Sequence, residues 1–449
     1  MKYARNGQEL RTHLVGTATK TASRMPDKWK NIGYYAGLWH DLGKYTDEWQ
    51  TYLQKSIAGE KPHRVPHSPQ GAKLALSFSK RFGQIPTLTF VIAGHHGGLK
   101  DISNYQGDEF KDKAKNWEKA KNEAIKEIED FMPSKLPEFD VRGTSKEFAI
   151  RMLFGCLVDA DRIDAAIAIE NAPPDIDEAS ILSGLFTCFN PRHRNPSGAL
   201  SSIRLEFRND CIAKAQRPCG IFRLTGPTGI GKTLSSLEWA IAHCQANSSL
   251  TGILYVAPLR SIIDQTWQVY SESLSVNVLA HHSDFQPNQE EASDYKLTTE
   301  RWNVPVICTS GVQFYESLFA RTPAQCRKLS HLMNRCILID EAQTIPLEYA
   351  KPILDVLRCL VQDWGCSVLL MSATQPTFKN IDPYFDNSSI DIIPDDKINY
   401  YFDATRRVSY QISSEQWHWQ DIADRLNNTN YHQSLTIVNT TKLAKECFI

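Results

Sequence analysis

Apolar residues in the first third of the chain recur at three-to-four-residue spacing around 31–42, 70–79 and 147–168, with polar residues between them. That period lines one face of a helix. With no clear hairpin signal, residues 1–170 are expected to be mainly helical. Segment 111–131, KDKAKNWEKAKNEAIKEIEDF, mixes both signs of charge on the same period. It predicts a solvated helix laced with i,i+4 pairs rather than a DNA-binding arm. Pro173-Pro174 and the stretch from Asn190 to Gly198 punctuate the next section as a linker or domain edge. From 221 the texture changes. Short apolar runs at 221–225, 253–257, 304–309, 336–339 and 368–371 alternate with helical patterns, the signature of a parallel sheet covered on both faces. After a polar region at 376–402, a further strand is expected at 434–438.

A chain of 449 residues should form two or three domains. The pattern divides it at 1–175, 176–210, 211–385 and 386–449. No apolar run approaches the roughly 20 residues that span a bilayer, and the N-terminus MKYARNGQELRTH lacks a signal-peptide core. A cytoplasmic protein without membrane contact is expected. The eleven cysteines include no C-x-x-C pair, so they read as small buried apolar residues rather than a zinc site. The net charge of −1 gives no general attraction to nucleic acid, so any such contact must be a local groove or channel.

The first candidate chemistry is a metal site. Transition metals need several imidazoles and carboxylates converging on one point. His40-Asp41 falls in the helical stretch YYAGLWHDLGKYTDEWQ, where neighbours point about 100° apart and can both reach a cleft. His95-His96 in VIAGHHGG repeats the arrangement, followed by glycines that let the backbone turn. His13 and His67 are further candidates, although a histidine standing alone is more often a satisfied core or surface residue. His63 and His193 are assigned no role. In LVDADRIDAA, helical spacing puts Asp161 and Asp164 on one face and Asp159 elsewhere. So many ligands could hold two ions roughly 3.5–4 Å apart, the arrangement used for phosphodiester hydrolysis. Lys44 could hold a phosphate, and a helix-surface lysine fits the same position. The histidine-rich set suits iron, manganese, cobalt, nickel or zinc alike.

The second is a nucleotide site. Residues 226–233, Gly-Pro-Thr-Gly-Ile-Gly-Lys-Thr, follow a strand and open a helix, the context a phosphate-binding loop requires. Gly226, Thr228, Gly229 and Gly231 would cradle the phosphates, Lys232 would reach the β/γ-phosphates and Thr233 would ligate magnesium. Downstream of an apolar strand, Asp340 would hold the magnesium of ATP and Glu341 would orient and deprotonate the attacking water, with Gln343 beside them. Ser372 and Thr374 could couple nucleotide state to a bound strand. Pro258, Arg260, Thr309 and Ser310 leave strands at the same sheet edge and suit phosphate contacts along nucleic acid, although helix N-capping explains Thr309 or Ser310 equally well.

His40-Asp41-Leu42-Gly43-Lys44, followed by His67, His95-His96 and Ala160-Asp161, resembles the HD phosphohydrolase superfamily. The doubled histidines and HSPQGA are similar to the HD nuclease domain of CRISPR-associated helicase-nucleases of type I systems. VAPLRSIIDQT, HHSDFQ, VICTSGVQFYESLF and IDEAQTIP resemble the superfamily 2 helicase of the same family. The resemblance implies an all-α HD-type metal-dependent phosphohydrolase domain followed by an α/β RecA-like parallel-sheet helicase domain. It implies one metal on His13, Asp161 and members of the His40-Asp41 dyad, and another on Asp41, His67, His95 and His96. The carboxylate from the later segment is drawn from Asp159, Asp161 and Asp164, of which Asp161 matches the motif. His40, Asp41 and Lys44 would act in cutting, Glu341 in ATP hydrolysis.

The family binds single-stranded DNA, translocates 3′ to 5′ on ATP, cuts the strand it reels in and is recruited by the RNA-guided Cascade complex. Phage anti-CRISPR inhibitors are a further implied class of partner. The string Val438-Asn439-Thr440 is similar to the opening strand of a second RecA-like domain, and the arginines that reach ATP across the cleft have no counterpart before Ile449. The sequence is therefore expected to be the N-terminal portion of a longer protein, with impaired ATP turnover. Two other readings remain: a nucleotide phosphohydrolase with a regulatory ATPase, and a docking scaffold that does not turn over.

Overall fold

A computed structural model describes residues 1–79, 85–105, 108–168, 198–283, 292–414, 416–428 and 433–448. Pro173-Pro174, His193 and most of the punctuation at 190–198 lie outside the described residues. Met1–Thr405 form one compact unit and Arg406–Ile449 another.

The first third is helical, as the spacing predicts. Helices Leu10–Ser23, Lys30–Trp39, Ser68–Ser77, Thr87–Gly94 and Thr144–Ile167 turn Leu14, Ala18, Ala36, Leu38, Val91, Ile92, Met152 and Leu157 into a common core. The first two cross at backbone distance, because a Cβ on Gly37 would lie 2.5 Å from Cα of Ala18.

Two local expectations fail. A short hairpin pairs Tyr3–Arg5 (β1) with Gln8–Glu9 (β2), turning at Asn6-Gly7 with Gly7 at φ 77°. Asn-Gly is a strong hairpin turn, but such short flanks give no period to detect. Segment 111–131 is not one helix. It breaks between Asp108–Lys113 and Trp117–Glu127, with Asn116 in the left-handed region at φ 65°. The break frees the carbonyls of Lys113 and Lys115 to accept from Nε2 of Gln70 (3.2 and 3.4 Å), and Ala120 and Ala124 are buried rather than solvated.

Among the described residues the α/β region forms a seven-stranded, all-parallel sheet. Its strands are Ile221–Thr225 (β3), Gly252–Ala257 (β4), Val278–His281 (β5), Val306–Ser310 (β6), Arg335–Ile339 (β7), Ser367–Ser372 (β8) and Ser389–Asp391 (β9), in the order β5-β6-β4-β7-β8-β3-β9. The five expected strands are present, and the two edge strands β5 and β9 were not anticipated. Since β9 pairs with Ile221–Arg223, the sheet unit runs to Thr405, past the boundary expected at 385. Residues 434–438 form no strand: Leu435 and Ile437 are each 84% exposed, and an apolar run becomes a strand only where a ladder partner exists.

Strand residues alternate between two cores. Leu338, Leu369 and Met371 join the cluster under helices Lys232–Ala246 and Arg260–Ser273, while Ile337, Ile339, Val368 and Leu370 join the cluster that also contains the helical third's core. Helix Ala350–Asp363 lies at this seam, and next to it Trp364 meets Trp29 at a ring separation of 5.1 Å. One hydrophobic core thus spans both regions. Among the described residues no helix is long and apolar enough to cross a membrane.

Candidate functional site

The histidines and aspartates expected to bind metal converge from helix ends. His40 caps the C-terminus of Lys30–Trp39, and Asp41 has already left the helix at φ −110°, ψ 24°. The dyad therefore sits at a helix end, not within a helix. His95 caps Thr87–Gly94, His67 precedes Ser68–Ser77, and His13 and Asp161 project from Leu10–Ser23 and Thr144–Ile167. Two glycines lock the approach. Gly43 donates its N–H to the His67 carbonyl at 3.0 Å, and Gly71 lies so close to the Trp39 carbonyl that a Cβ would collide with it. Thus His40-Asp41-Leu42-Gly43-Lys44 and His67-Ser68-Pro69-Gln70-Gly71-Ala72 interlock backbone to backbone.

Two ligand groups result: His13, His40, Asp41 and Asp161, and Asp41, His67, His95 and His96, with donor atoms in each within 4.8 Å of one another. Asp41 belongs to both. Its Oδ2 faces Nε2 of His13 and His40 (3.3 and 3.4 Å), its Oδ1 faces Nε2 of His67 and His95 (both 3.3 Å). Asp161 Oδ1 stands 3.5 and 3.6 Å from Nε2 of His13 and His40. Donors about 2.1 Å from a shared ion stand roughly 3–3.5 Å apart, so these spacings fit a divalent metal.

The side-chain chemistry agrees with that fit. Nδ1 of His40 and of His95 donate to the carbonyls of Gly37 and Ile92 (2.6 and 2.7 Å), which leaves the Nε2 lone pairs facing inward. Those two nitrogens and Oδ1 of Asp41 are buried without a hydrogen-bond partner. Burial pushes His67 down to about 4 and His96 to about 3, keeping both rings in the neutral form that ligates metal. Burial acts to lower His40 as well, but Asp41 and Asp161 outweigh it and raise the ring to about 10. The same pull acts on any cation at this point.

Of the three aspartates on the late helix, Asp161 enters the ligand group. Asp164 instead accepts from Nδ1 of His13 at 2.8 Å, and Asp159 turns away. Lys44 is no surface residue. It is 8% exposed, with Nζ 2.6 Å from Oδ2 of Asp41.

At the carboxyl end of the sheet, Lys232 donates from Nζ to the Gly226 carbonyl (2.8 Å) and opens the helix that Thr233 continues. Gly229 and Gly231 take φ 85° and 98°, conformations that suit glycine at this loop. Arg204 holds the loop from outside by two bonds to the Gly229 carbonyl (2.9 and 3.1 Å). Asp340 follows β7, and burial raises its carboxyl above the usual range. Its Oδ2 accepts from the Tyr255 hydroxyl at 2.5 Å and its Oδ1 from the Glu341 N–H at 2.9 Å. A relay continues from there: Gln343 donates to Glu341 (2.6 Å), Ser372 donates to Gln343 (2.5 Å), and the Thr374 N–H donates to Ser372 (3.0 Å).

The residues expected along nucleic acid divide. Arg260 is exposed at its helix start and donates to Ser283 (2.6 Å), with Pro258 half-buried beside it. Thr309 is fully buried and its hydroxyl donates to the His281 carbonyl at 2.8 Å, while Ser310 caps Gly311–Leu318. For these two the hydroxyls serve the fold. Sequence reasoning missed Tyr255, Arg204 and Asp164 as supporting residues. A tyrosine inside an otherwise aliphatic strand was the one available signal.

Residues 8–165 match the family described as Cas3, HD domain, and residues 207–382 match the DEAD/DEAH box helicases. The class is thus an HD domain followed by a DEAD/DEAH box helicase domain. In both of these matches and in their order the chain is similar to the Cas3 type of HD–helicase fusion. A curated relative, the CRISPR-associated nuclease/helicase Cas3 of Haloferax volcanii, is 25% identical over 440 residues, covering 79% of this chain and 46% of that protein. The fold is similar to crystal structures of T. fusca Cas3 with ATP (TM-score 0.55, 18% identity, 91% of this chain and 51% of that one) and with ADP (TM-score 0.55, 18% identity, 82% and 48%). The chain therefore spans about half the length of these relatives.

Proposed function

We propose that this chain carries the nuclease centre and part of the motor of a type I CRISPR interference enzyme, which cuts single-stranded DNA drawn 3′ to 5′ by ATP hydrolysis after recruitment by Cascade. The observation that carries the reading is Asp41 shared between two histidine-rich ligand groups. When bound there, a pair of divalent transition-metal ions would polarise the scissile phosphate and stabilise the attacking and leaving oxygens. The protein's share is to hold the ligands. Backbone carbonyls fix the rings of His40 and His95, Asp164 fixes His13, and burial keeps competing water from the donor atoms. Lys44, whose Nζ lies against Asp41, supplies a donor for a non-bridging phosphate oxygen.

In the motor, Lys232 and the loop amides would bind the phosphates of ATP, and Asp340 with Thr233 would hold its magnesium. Glu341 orients the attacking water and takes its proton, and the Gln343–Ser372 relay carries that state toward the strand edge.

The test compares labelled single-stranded DNA with small nucleotides as substrates of protein purified without chelator, under manganese, iron, cobalt, nickel and zinc in turn. DNA cleavage with at least one ion, and little turnover of free nucleotides, is the expected result. Hydrolysis of nucleotides without DNA cleavage would identify a phosphohydrolase. No turnover of either, with binding to Cascade retained, would identify a docking module.

A further inference from the structure

Asp159 is a fully buried carboxylate that the metal centre does not use. Two residues along a helix correspond to roughly 200° of rotation, so Asp159 and Asp161 face opposite sides of Thr144–Ile167. One side supplies the metal centre. The other is clasped by the helicase domain: Arg301 makes a forked contact to both oxygens (2.9 and 3.2 Å) and Arg327 adds a bond to Oδ1 from Nε (3.0 Å) and an ion-pair contact from Nη2 (2.9 Å). His331 at 3.5 Å and Arg24 at 3.8 Å complete the groups facing it.

A cluster like this does not add much stability over apolar side chains of the same volume, because desolvating the charges offsets their attraction. What it adds is direction. The fork admits one rotation of the carboxylate about the helix axis, and Arg301 is itself fully buried and so has little freedom to follow a displaced partner. The arginine is anchored in turn, since Trp302 beside it donates from its indole to His281 (2.8 Å) while its carbonyl accepts from Arg335 (3.1 Å). A helix shared by two domains and fixed in rotation on one face presents a fixed residue on the other.

We propose that Asp159 is a positioning residue: clasped by Arg301 and Arg327 of the helicase domain, it sets the rotation of Thr144–Ile167 and with it the placement of Asp161 in the metal centre. The inference rests on the metal-centre reading given above. It makes the helicase domain a structural component of the nuclease site, independently of any translocation.

The test is titration of Mn²⁺ into the metal-stripped 449-residue chain by calorimetry. Asp161→Asn and His96→Gln identify which binding step belongs to which ligand group. Asp159→Asn is expected to weaken the Asp161-dependent step about 10-fold, the low end of the loss seen when the support that orients a ligand is removed, and to leave the His96-dependent step little changed. If Asp159→Asn does not fold, Arg301→Lys keeps the charge without the fork and is expected to weaken the same step by a smaller factor. A lowered melting temperature with both steps intact, or equal loss at both, would mean that the cluster is only structural and would overturn the proposal. If Asp161→Asn alters neither step, the metal-centre reading itself fails, and this inference fails with it.

Discussion

The Oδ2 atom of Asp164 stands 2.8 Å from Nδ1 of His13, on the side of the ring turned away from Asp41 and Asp161. This carboxylate also receives Gln8 at 2.8 Å and Lys20 at 3.1 Å, so it is itself fixed. It holds the proton of His13 on Nδ1 and aims Nε2 into the ligand group. Asp164→Ala should therefore lower metal affinity about 10- to 100-fold while leaving every ligand in place, as competition with a chromogenic chelator would show. Unchanged affinity would remove Asp164 from the centre.

Nε2 of His40 is buried and faces both Asp41 and Asp161. His40→Ala should abolish cleavage of single-stranded DNA and leave the circular dichroism spectrum as it is. Residual cutting at the wild-type rate would place the nuclease chemistry elsewhere.

The Tyr255 hydroxyl donates to Oδ2 of Asp340, the expected magnesium ligand. A hydrogen bond to a charged group contributes about 1.5–3 kcal/mol, so Tyr255→Phe should weaken magnesium-dependent binding of a fluorescent ATP analogue by about 10-fold or more. Binding measured without magnesium should change little. Equal losses in the two conditions would point to a distorted loop instead.

Gly37 faces the backbone of Ala18, where a Cβ would lie 2.5 Å from Cα and 2.6 Å from N. Alanine gains about 1 kcal/mol in helix propensity over glycine, while overpacking costs about 1–3 kcal/mol. Neighbouring backbone cannot rotate aside as a side chain can, so the steric cost should win. Gly37→Ala is expected to lower the urea midpoint, and a raised midpoint would show that the two helices can part freely.

Burial holds His281 down to about 3, as a neutral ring that accepts the Trp302 indole N–H at 2.8 Å. A histidine in the unfolded chain titrates near 6.5. Between these values the unfolded state binds a proton that the folded state refuses, so this contribution is complete above about pH 6.5 and lost as the pH falls toward 3. His281→Asn keeps an acceptor for the indole and should flatten the fall in melting temperature with acid. A wild-type slope in that variant would assign the acid sensitivity to other groups.

What was legible in the sequence follows the range of the interaction that fixes each feature. The loop around Lys232 and the box at Asp340 are contiguous, and each sits at a strand end that the apolar runs mark. The metal ligands come from five separated segments, so only their resemblance to a known set joined them. Helical spacing placed Asp161 and Asp164 on one face, yet which of them reaches the centre depends on the helix's rotation against its surroundings. Tyr255 was hidden because β4 reads as an ordinary buried strand, and its meaning comes from Asp340, which follows the adjacent strand β7. The edge strands β5 and β9 are four and three residues long and exist through their pairing with β6 and β3. Residues 434–438 show the converse, a strand-like run with no ladder to join.

Asp41 presents one oxygen to each ligand group. In the two-ion reading proposed above, both positions would draw on that one carboxylate. The ion that arrived second would meet a carboxylate already partly neutralised, so its affinity would be the lower of the two. A cell with scarce transition metal would then hold this protein half-loaded. If the proposed cleavage of DNA uses both ions, it would be governed by how far the supply exceeds that weaker step, making metal availability a throttle on the proposed nuclease.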